Sequence, residues 1–185
     1  MLRGERIILR AVERDDLPLI CAYNNDVEVE VAGGGDPPLP QSLARLQAEF
    51  DTNAGKGGRD EPWFAIEVDG KMIGQCALHN FQDVHRTCEV GIGIGDKSYW
   101  GKGYGREAVL LLLDWAFRYR NLNKVWLTTI GSNERAYRCY LACGFVEEGR
   151  QRQHMWGAGH YEDFIYMGIL RSEWEQRNAP KNTEV

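Results

Sequence analysis

The chain of 185 residues carries a formal net charge of −5, with 43% hydrophobic and 26% charged residues. That balance suits one globular domain and argues against disorder, a fibrous class and the basic footprint of a nucleic-acid binder. No apolar run approaches the roughly 18 residues of a membrane span, and MLRGERIILRAVERDD lacks the pattern of a signal or transit peptide, so a cytoplasmic chain with no nucleic-acid or membrane partner is expected.

In chain order, Ile7, Leu9 and Ala11 alternate with charged residues as in a half-buried strand, and RDDLPLICAYNND supplies acidic start signals and helical spacing. VAGGGDPPLP, residues 31–40, cannot continue that helix. A second helix is predicted from Gln41 to about Thr52, and NAGKGGRDE reads as a flexible link. WFAIEVDGKMIGQCALHNF gives two strand patterns joined by Asp69-Gly70, a dipeptide favoured in tight hairpins. TCEVGIGIG is a third strand, leading into SYWGKGYGREAVLLLLDWAF, a glycine loop and an apolar helix. KVWLTTIG is a further strand, and NERAYRCYLACGF a helix that Gly144 is placed to end. VEEGRQRQHMW and HYEDFIYMGIL form a final hairpin through Gly157-Ala158-Gly159. The order β α α β β β α β α β β is a mixed α+β arrangement. It forms one domain over 1–172, with a polar, frayed tail over 173–185.

The five cysteines, an odd number within apolar or helical patterns, fit reduced thiols. Cys139 and Cys143 are four apart, but neither histidine nor a further cysteine pair flanks them at zinc spacing, so no metal is expected.

Gly103, Gly105 and Ala108 satisfy a loose G-x-G-x-x-A dinucleotide pattern. The acid that such a unit needs at the end of the next strand is absent from NLNKVWLTTIGSN, and Lys102 is followed by Gly103 where a P-loop requires Ser or Thr. The physics common to these motifs remains. Small residues at a strand-to-helix turn aim backbone N–H groups at an anion, the helix N-terminus adds partial positive charge, and Lys102 and Arg106 add cations. A pyrophosphate fits this site; a tight turn packed beneath a buried helix is the alternative. In the preceding strand Glu89, Gly91, Gly93 and Gly95 share one face, while Cys88, Val90, Ile92 and Ile94 share the other. A face so bare of side chains implies close approach by another group. A ligand extending from the anion site along this strand meets one carboxylate, Glu89.

These residues resemble the GNAT superfamily of N-acetyltransferases, in the branch of ribosomal-protein N-terminal and spermidine acetyltransferases. The resemblance runs from IILRAVERDDL to YMGILRSEW and is carried by EVGIGIGDKSYWGKGYGREA and NERAYRCYLACGFVEEG, in that order and one strand apart. It implies a central, mostly antiparallel mixed sheet of about seven strands flanked by about four helices. It further implies transfer of an acetyl group from acetyl-CoA to a primary amine, of a protein N-terminus, a polyamine or another small molecule, in a ternary complex. The backbone amides of Gly101, Lys102, Gly103, Tyr104, Gly105 and Arg106 are then expected to hold the CoA pyrophosphate. Gly93, Ile94 and Gly95 offer main-chain groups to the pantetheine arm and thioester, and Asn133 contacts the pantetheine. Trp100 replaces the Gln or Arg of many members and is expected to pack the loop.

Two side chains carry the expected chemistry. An alkyl amine is mostly protonated at neutral pH, so a base is needed, and Glu89 serves directly or through water; a salt bridge to Arg86 is the alternative. Tyr140, seven residues after Asn133 on the same helix face, is expected to protonate the departing thiolate; the alternative is a core tyrosine behind an Asn133 helix cap. Arg135, Arg138, Arg150 and Arg152 form a basic cluster, and Arg138 is assigned to the cofactor through the CoA 3′-phosphate. His79 and His85 suit neutral hydrogen-bonding roles. Asp26, Glu28, Glu30 and Asp36 are either an attractor for cationic amines or a solvated turn. A monomer or homodimer is expected. The rival of another class is a noncatalytic acyl-CoA-binding sensor.

Overall fold

Eight strands form one sheet in the computed structural model, which describes residues 1–33, 39–54 and 61–179. They are β1 (Leu2–Arg3), β2 (Ile8–Ala11), β3 (Trp63–Val68), β4 (Lys71–Gln82), β5 (Thr87–Ile94), β6 (Lys124–Ile130), β7 (Val146–Gly157) and β8 (His160–Leu170). Their spatial order is β1-β2-β3-β4-β5-β6-β8-β7, and every pairing is antiparallel except β5 with β6. The parallel pair exists because a helix, α4 (Tyr104–Asp114), crosses over between those two strands.

The hairpin predicted at Asp69-Gly70 forms as expected. Both residues take positive φ, 49° and 77°, the backbone that a two-residue turn needs to match the strand twist. The sheet is covered on both faces. Ile73, Cys76 and Leu78 of β4 and Cys88 and Val90 of β5 bury against Val109, Leu112 and Leu113 of α4 and against Cys143 of α5 (Glu134–Cys143). On the other face Ala65 and Met72 meet Leu17 and Ile20 of α1 (Leu17–Asn24) and Leu46 of α3 (Leu43–Ala54).

Three elements depart from the sequence expectation. The first strand is two, because Gly4 to Ile7 turns the chain back on itself through a backbone hydrogen bond of 2.9 Å. A further helix, α2 (Val27–Gly33), lies between the two expected ones and takes in residues 31–33 of the segment expected not to continue a helix; Asp26 Oδ1 accepts from the Glu28 N–H at 3.0 Å and so starts it. The polar segment from 173 begins within a helix, α6 (Arg171–Asn178). Glu173 Oε2 accepts from the Leu170 N–H at 2.8 Å, and Trp174 buries its ring 5.4 Å from that of Phe117. Among the described residues the sheet thus has eight strands where about seven were expected, and six α-helices accompany it where about four were. Residues 55–60 of NAGKGGRDE, most of the GGGDPP turn and the last six residues of the tail lie outside the described residues.

Candidate active site

The sheet opens where the cofactor was expected. β5 and β6 pair at Thr87, Cys88 and Glu89 with Lys124, Val125 and Trp126, and at no later register. Beyond Glu89 the strands part, β5 continuing beside β4 as far as Ile94 and β6 beside β8 as far as Ile130. The edge of β5 from Val90 to Ile94 therefore offers backbone groups that no strand takes, a template for an extended ligand. A cavity of ≈ 360 Å³ lies along the Ile92–Ile94 part of this edge, and Glu89 is not among the residues that line it. Gly93, Ile94, Trp100, Gly101, Gly103, Tyr104, Gly105, Arg106, Asn133, Arg138 and Tyr140 all line it, with Val29 and Ala32 of α2 on the far wall.

The glycine loop closes the end of the cavity at which an anion was expected. Gly103 caps α4 with φ 87°, a conformation that a side chain would strain. The first-turn amides of Tyr104, Gly105 and Arg106 are left without helical acceptors, as at any helix start. Arg6, with no signal in the sequence, supports the loop from outside the cavity. Its Nη1 donates to the Lys102 carbonyl at 2.9 Å and its Nε to Glu107 Oε2 at 3.0 Å, and its guanidinium lies 4.7 Å from the Tyr104 ring centroid. Trp100 packs the loop as expected and also donates its Nε1–H to the Ile94 carbonyl at 2.6 Å. Arg135 stacks over the Trp100 ring at 3.8 Å, so two of the four clustered arginines, Arg135 and Arg138, border the cavity. Arg150 instead pairs with Glu147 and Asp163.

Two expected cofactor residues stand apart from the cavity wall. Gly95 lies under the ring of Tyr23 in α1, so the group approaching this end of the bare face is a side chain of the protein. Lys102 contributes its carbonyl to Arg6 and holds its ammonium 5.9 Å from the Tyr99 ring centroid. At Gly93 a side chain would meet nothing within 4 Å, so the bare face stays open there.

On α5, Asn133 is a helix cap as well as a cavity residue. Its Oδ1 accepts from the Ala136 N–H at 3.1 Å and its Nδ2 donates to the Ala32 carbonyl at 2.5 Å, which ties α2 across the opening. Tyr140 is almost wholly buried, with its ring 6.0 Å from Phe145. Burial, and after it the neighbouring Cys139 and Cys143 thiols, push its phenol above the ordinary tyrosine range. A phenol so shifted stays protonated. Cys143 donates to the Arg106 carbonyl at 3.8 Å. Among the described residues no group of three or more His, Cys, Asp or Glu side chains is arranged to hold a metal ion.

Glu89 occupies the apex of the opening, the last β5 residue paired with β6. Arg86, weighed as its partner, donates instead to the Asn121 carbonyl and Oδ1 at 2.8 and 2.9 Å. Glu89 Oε2 accepts from Asn80 Nδ2 at 2.7 Å and lies 3.3 Å from His79 Nε2. Of the acidic group in and before α2, Asp26 and Glu28 are both engaged by Lys97, at 2.8 and 2.9 Å. Glu30 is half-buried, which raises its carboxyl above the usual range, and Asp36 lies outside the described residues.

A family model described as an acetyltransferase (GNAT) domain matches residues 6–146. The spermidine N(1)-acetyltransferase of Vibrio cholerae is 31% identical over 176 residues, 95% of this chain and 99% of that protein. The putative ribosomal N-acetyltransferase YdaF of Bacillus subtilis is 35% identical over 107 residues, 58% of each chain. The crystal structure of the V. cholerae spermidine N-acetyltransferase in complex with CoA and spermine matches with a TM-score of 0.83 at 31% identity, covering 92% of this chain and 99% of that one. The V. cholerae enzyme has also been solved as a dodecamer, at a TM-score of 0.80 and 30% identity, with 95% of this chain and 99% of that one covered.

Proposed function

The chain belongs to the GNAT acetyltransferase family, and from that membership we propose that its amine acceptor is a polyamine. It is an acetyl-CoA-dependent N-acetyltransferase, and the noncatalytic sensor is not favoured. What supports a polyamine is the likeness to spermidine acetyltransferases along nearly the whole chain. A net charge of −5 favours a polycationic acceptor on the same side.

In the proposed reaction acetyl-CoA lies in the cavity between β5 and β6. Its pyrophosphate meets the amides from Gly101 to Arg106, and its pantetheine adds to the open β5 edge in the manner of a short extra strand. The observation that carries the reading is the divergence of β5 and β6 just past Glu89, which leaves a carboxylate at the fork and, three residues further along β5, a cavity of ≈ 360 Å³ that begins at Ile92. Glu89 takes the proton from the acceptor ammonium, directly or through water. The free amine attacks the thioester carbonyl, the tetrahedral intermediate expels the CoA thiolate, and Tyr140 protonates that sulfur. No enzyme-bound acyl intermediate is required.

We further assign the chain to the cytoplasm, in keeping with five cysteines that are all free and with the lack of a membrane-length apolar helix among the described residues. Its assembly is proposed to be a monomer or homodimer. Light scattering checks this, and a mass near twelve chains, as in the V. cholerae relative, overturns it.

The test of function is a panel of acceptors with acetyl-CoA, read as released thiol. Spermidine and spermine are expected to turn over best, with rates that fall as salt is added. Preference for an N-terminal peptide shifts the assignment to protein acetylation, the activity in the name of the B. subtilis relative. Silence with every amine overturns catalysis.

A further inference from the structure

β4 breaks its register with β5 between His79 and Gln82, and Asn80 there adopts a φ of 51°, in the left-handed region. In a regular strand His79 and Asn80 point to opposite faces. Here the bulge turns both toward one atom, Glu89 Oε2, with Asn80 Nδ2 at 2.7 Å and His79 Nε2 at 3.3 Å. Bulges re-aim side chains beside active sites, and a non-glycine residue in this conformation persists where the surroundings hold it there.

A second feature agrees with the first. The His79 ring lies over Gly91, its Cε1 3.1 Å from where a β-carbon on that residue would sit. Glycine at 91 therefore admits the imidazole to the face that carries Glu89. The two side chains also differ in access to water: Glu89 is 15% exposed and His79 34%. One nitrogen of the ring thus stands at a nearly closed carboxylate on a side chain that itself reaches solvent.

We propose that His79 is the proton outlet of the active site, with Asn80 as the positioning residue that holds Glu89 for it. This rests on the reading of Glu89 as the base. The acceptor ammonium N–H breaks as an O–H forms on Glu89. That O–H then breaks as an N–H forms on His79 Nε2, and Nδ1 releases its proton to water. Imidazole suits the task because it binds a proton at one nitrogen while releasing one at the other. Exchange with solvent restores the starting tautomer, and Glu89 is left ionised for the next turnover.

The experiment compares His79→Ala, His79→Gln and Glu89→Gln in full-length protein, each checked for folding by its melting transition. His79→Ala is expected to lower kcat by roughly tenfold or more, toward the range of general acid–base losses, with the KM for acetyl-CoA unchanged. Added imidazole restores turnover in His79→Ala and leaves Glu89→Gln inactive. His79→Gln, which keeps a donor beside Glu89 but cannot relay a proton, is expected to stay slow. Wild-type turnover in either His79 variant beside an inactive Glu89→Gln overturns the outlet alone. A slow His79→Ala that imidazole does not rescue, with His79→Gln restored, reduces His79 to a structural hydrogen-bond partner and also overturns it. Full activity in Glu89→Gln overturns the underlying base assignment.

Discussion

Replacing Tyr140 with phenylalanine isolates the acid step from cofactor binding. The substitution removes one oxygen and keeps the ring that packs 6.0 Å from Phe145, so the core is retained and the fold is expected to change by less than about 1 kcal/mol. The lost group is a phenol whose proton burial holds in place. A positioned general acid contributes about 10²- to 10⁴-fold, which at about 1.36 kcal/mol per decade is roughly 2.7–5.4 kcal/mol of barrier. The expected result is a fall in kcat of that size with the acetyl-CoA dissociation constant nearly unchanged, measured by steady-state thiol release and by calorimetry. The upward shift adds a condition on pH. The acid form is present below the raised value, so wild-type kcat should not decline between about pH 8 and 10 through loss of this proton, given an ordinary tyrosine value near 10. A kcat within a few-fold of wild type, or a parallel loss of cofactor binding, refutes the role.

Trp100→Phe deletes the 2.6 Å donor to the Ile94 carbonyl while leaving a ring beneath Arg135. A net hydrogen bond of about 0.5–1.5 kcal/mol predicts acetyl-CoA binding weaker by roughly 2- to 10-fold, and calorimetry showing no change sinks the idea that this bond holds the β5 end in shape. Asp16 accepts from Arg10 at 2.6 Å and 2.9 Å, and that hydrogen bond holds its carboxyl below the ordinary range. Its contribution is therefore present above the unfolded value near 3.9 and is lost as pH falls through the lower folded value. Asp16→Asn should cost about 1–3 kcal/mol at neutral pH, and urea titrations should show the gap to wild type closing below about pH 4; a gap independent of pH removes the ion pair as its cause.

Local chemistry made much of the architecture readable. Asp69-Gly70 specified its hairpin, Gly144 ended its helix, and the final hairpin turned at Ala158 and Gly159, both at positive φ. The glycine loop before an apolar helix was readable as a turn that leaves first-turn amides open, because its signals lie within a few residues of one another. The helix at Val27–Gly33 went unread, where the Asp26 carboxylate starts it, and polar composition misled at the C-terminal segment, where one buried tryptophan docks a polar helix.

The candidate active site shows the same division. The sequence alone determined which strand carries the glycine face, which loop follows it and which helix presents Asn133 and Tyr140, since each depends on neighbours along the chain. Only the tertiary structure decided that β5 and β6 part just past Glu89, that Tyr23 fills the space at Gly95, that Arg6 braces the loop through Lys102 and Glu107, and that His79 and Asn80 converge on one oxygen. Arg6 and Glu107 are 101 positions apart, and the turn of His79 toward Glu89 depends on a register break between two strands. The energies of such contacts are set by where the sheet brings distant residues together, and no local spacing in the chain encodes that meeting.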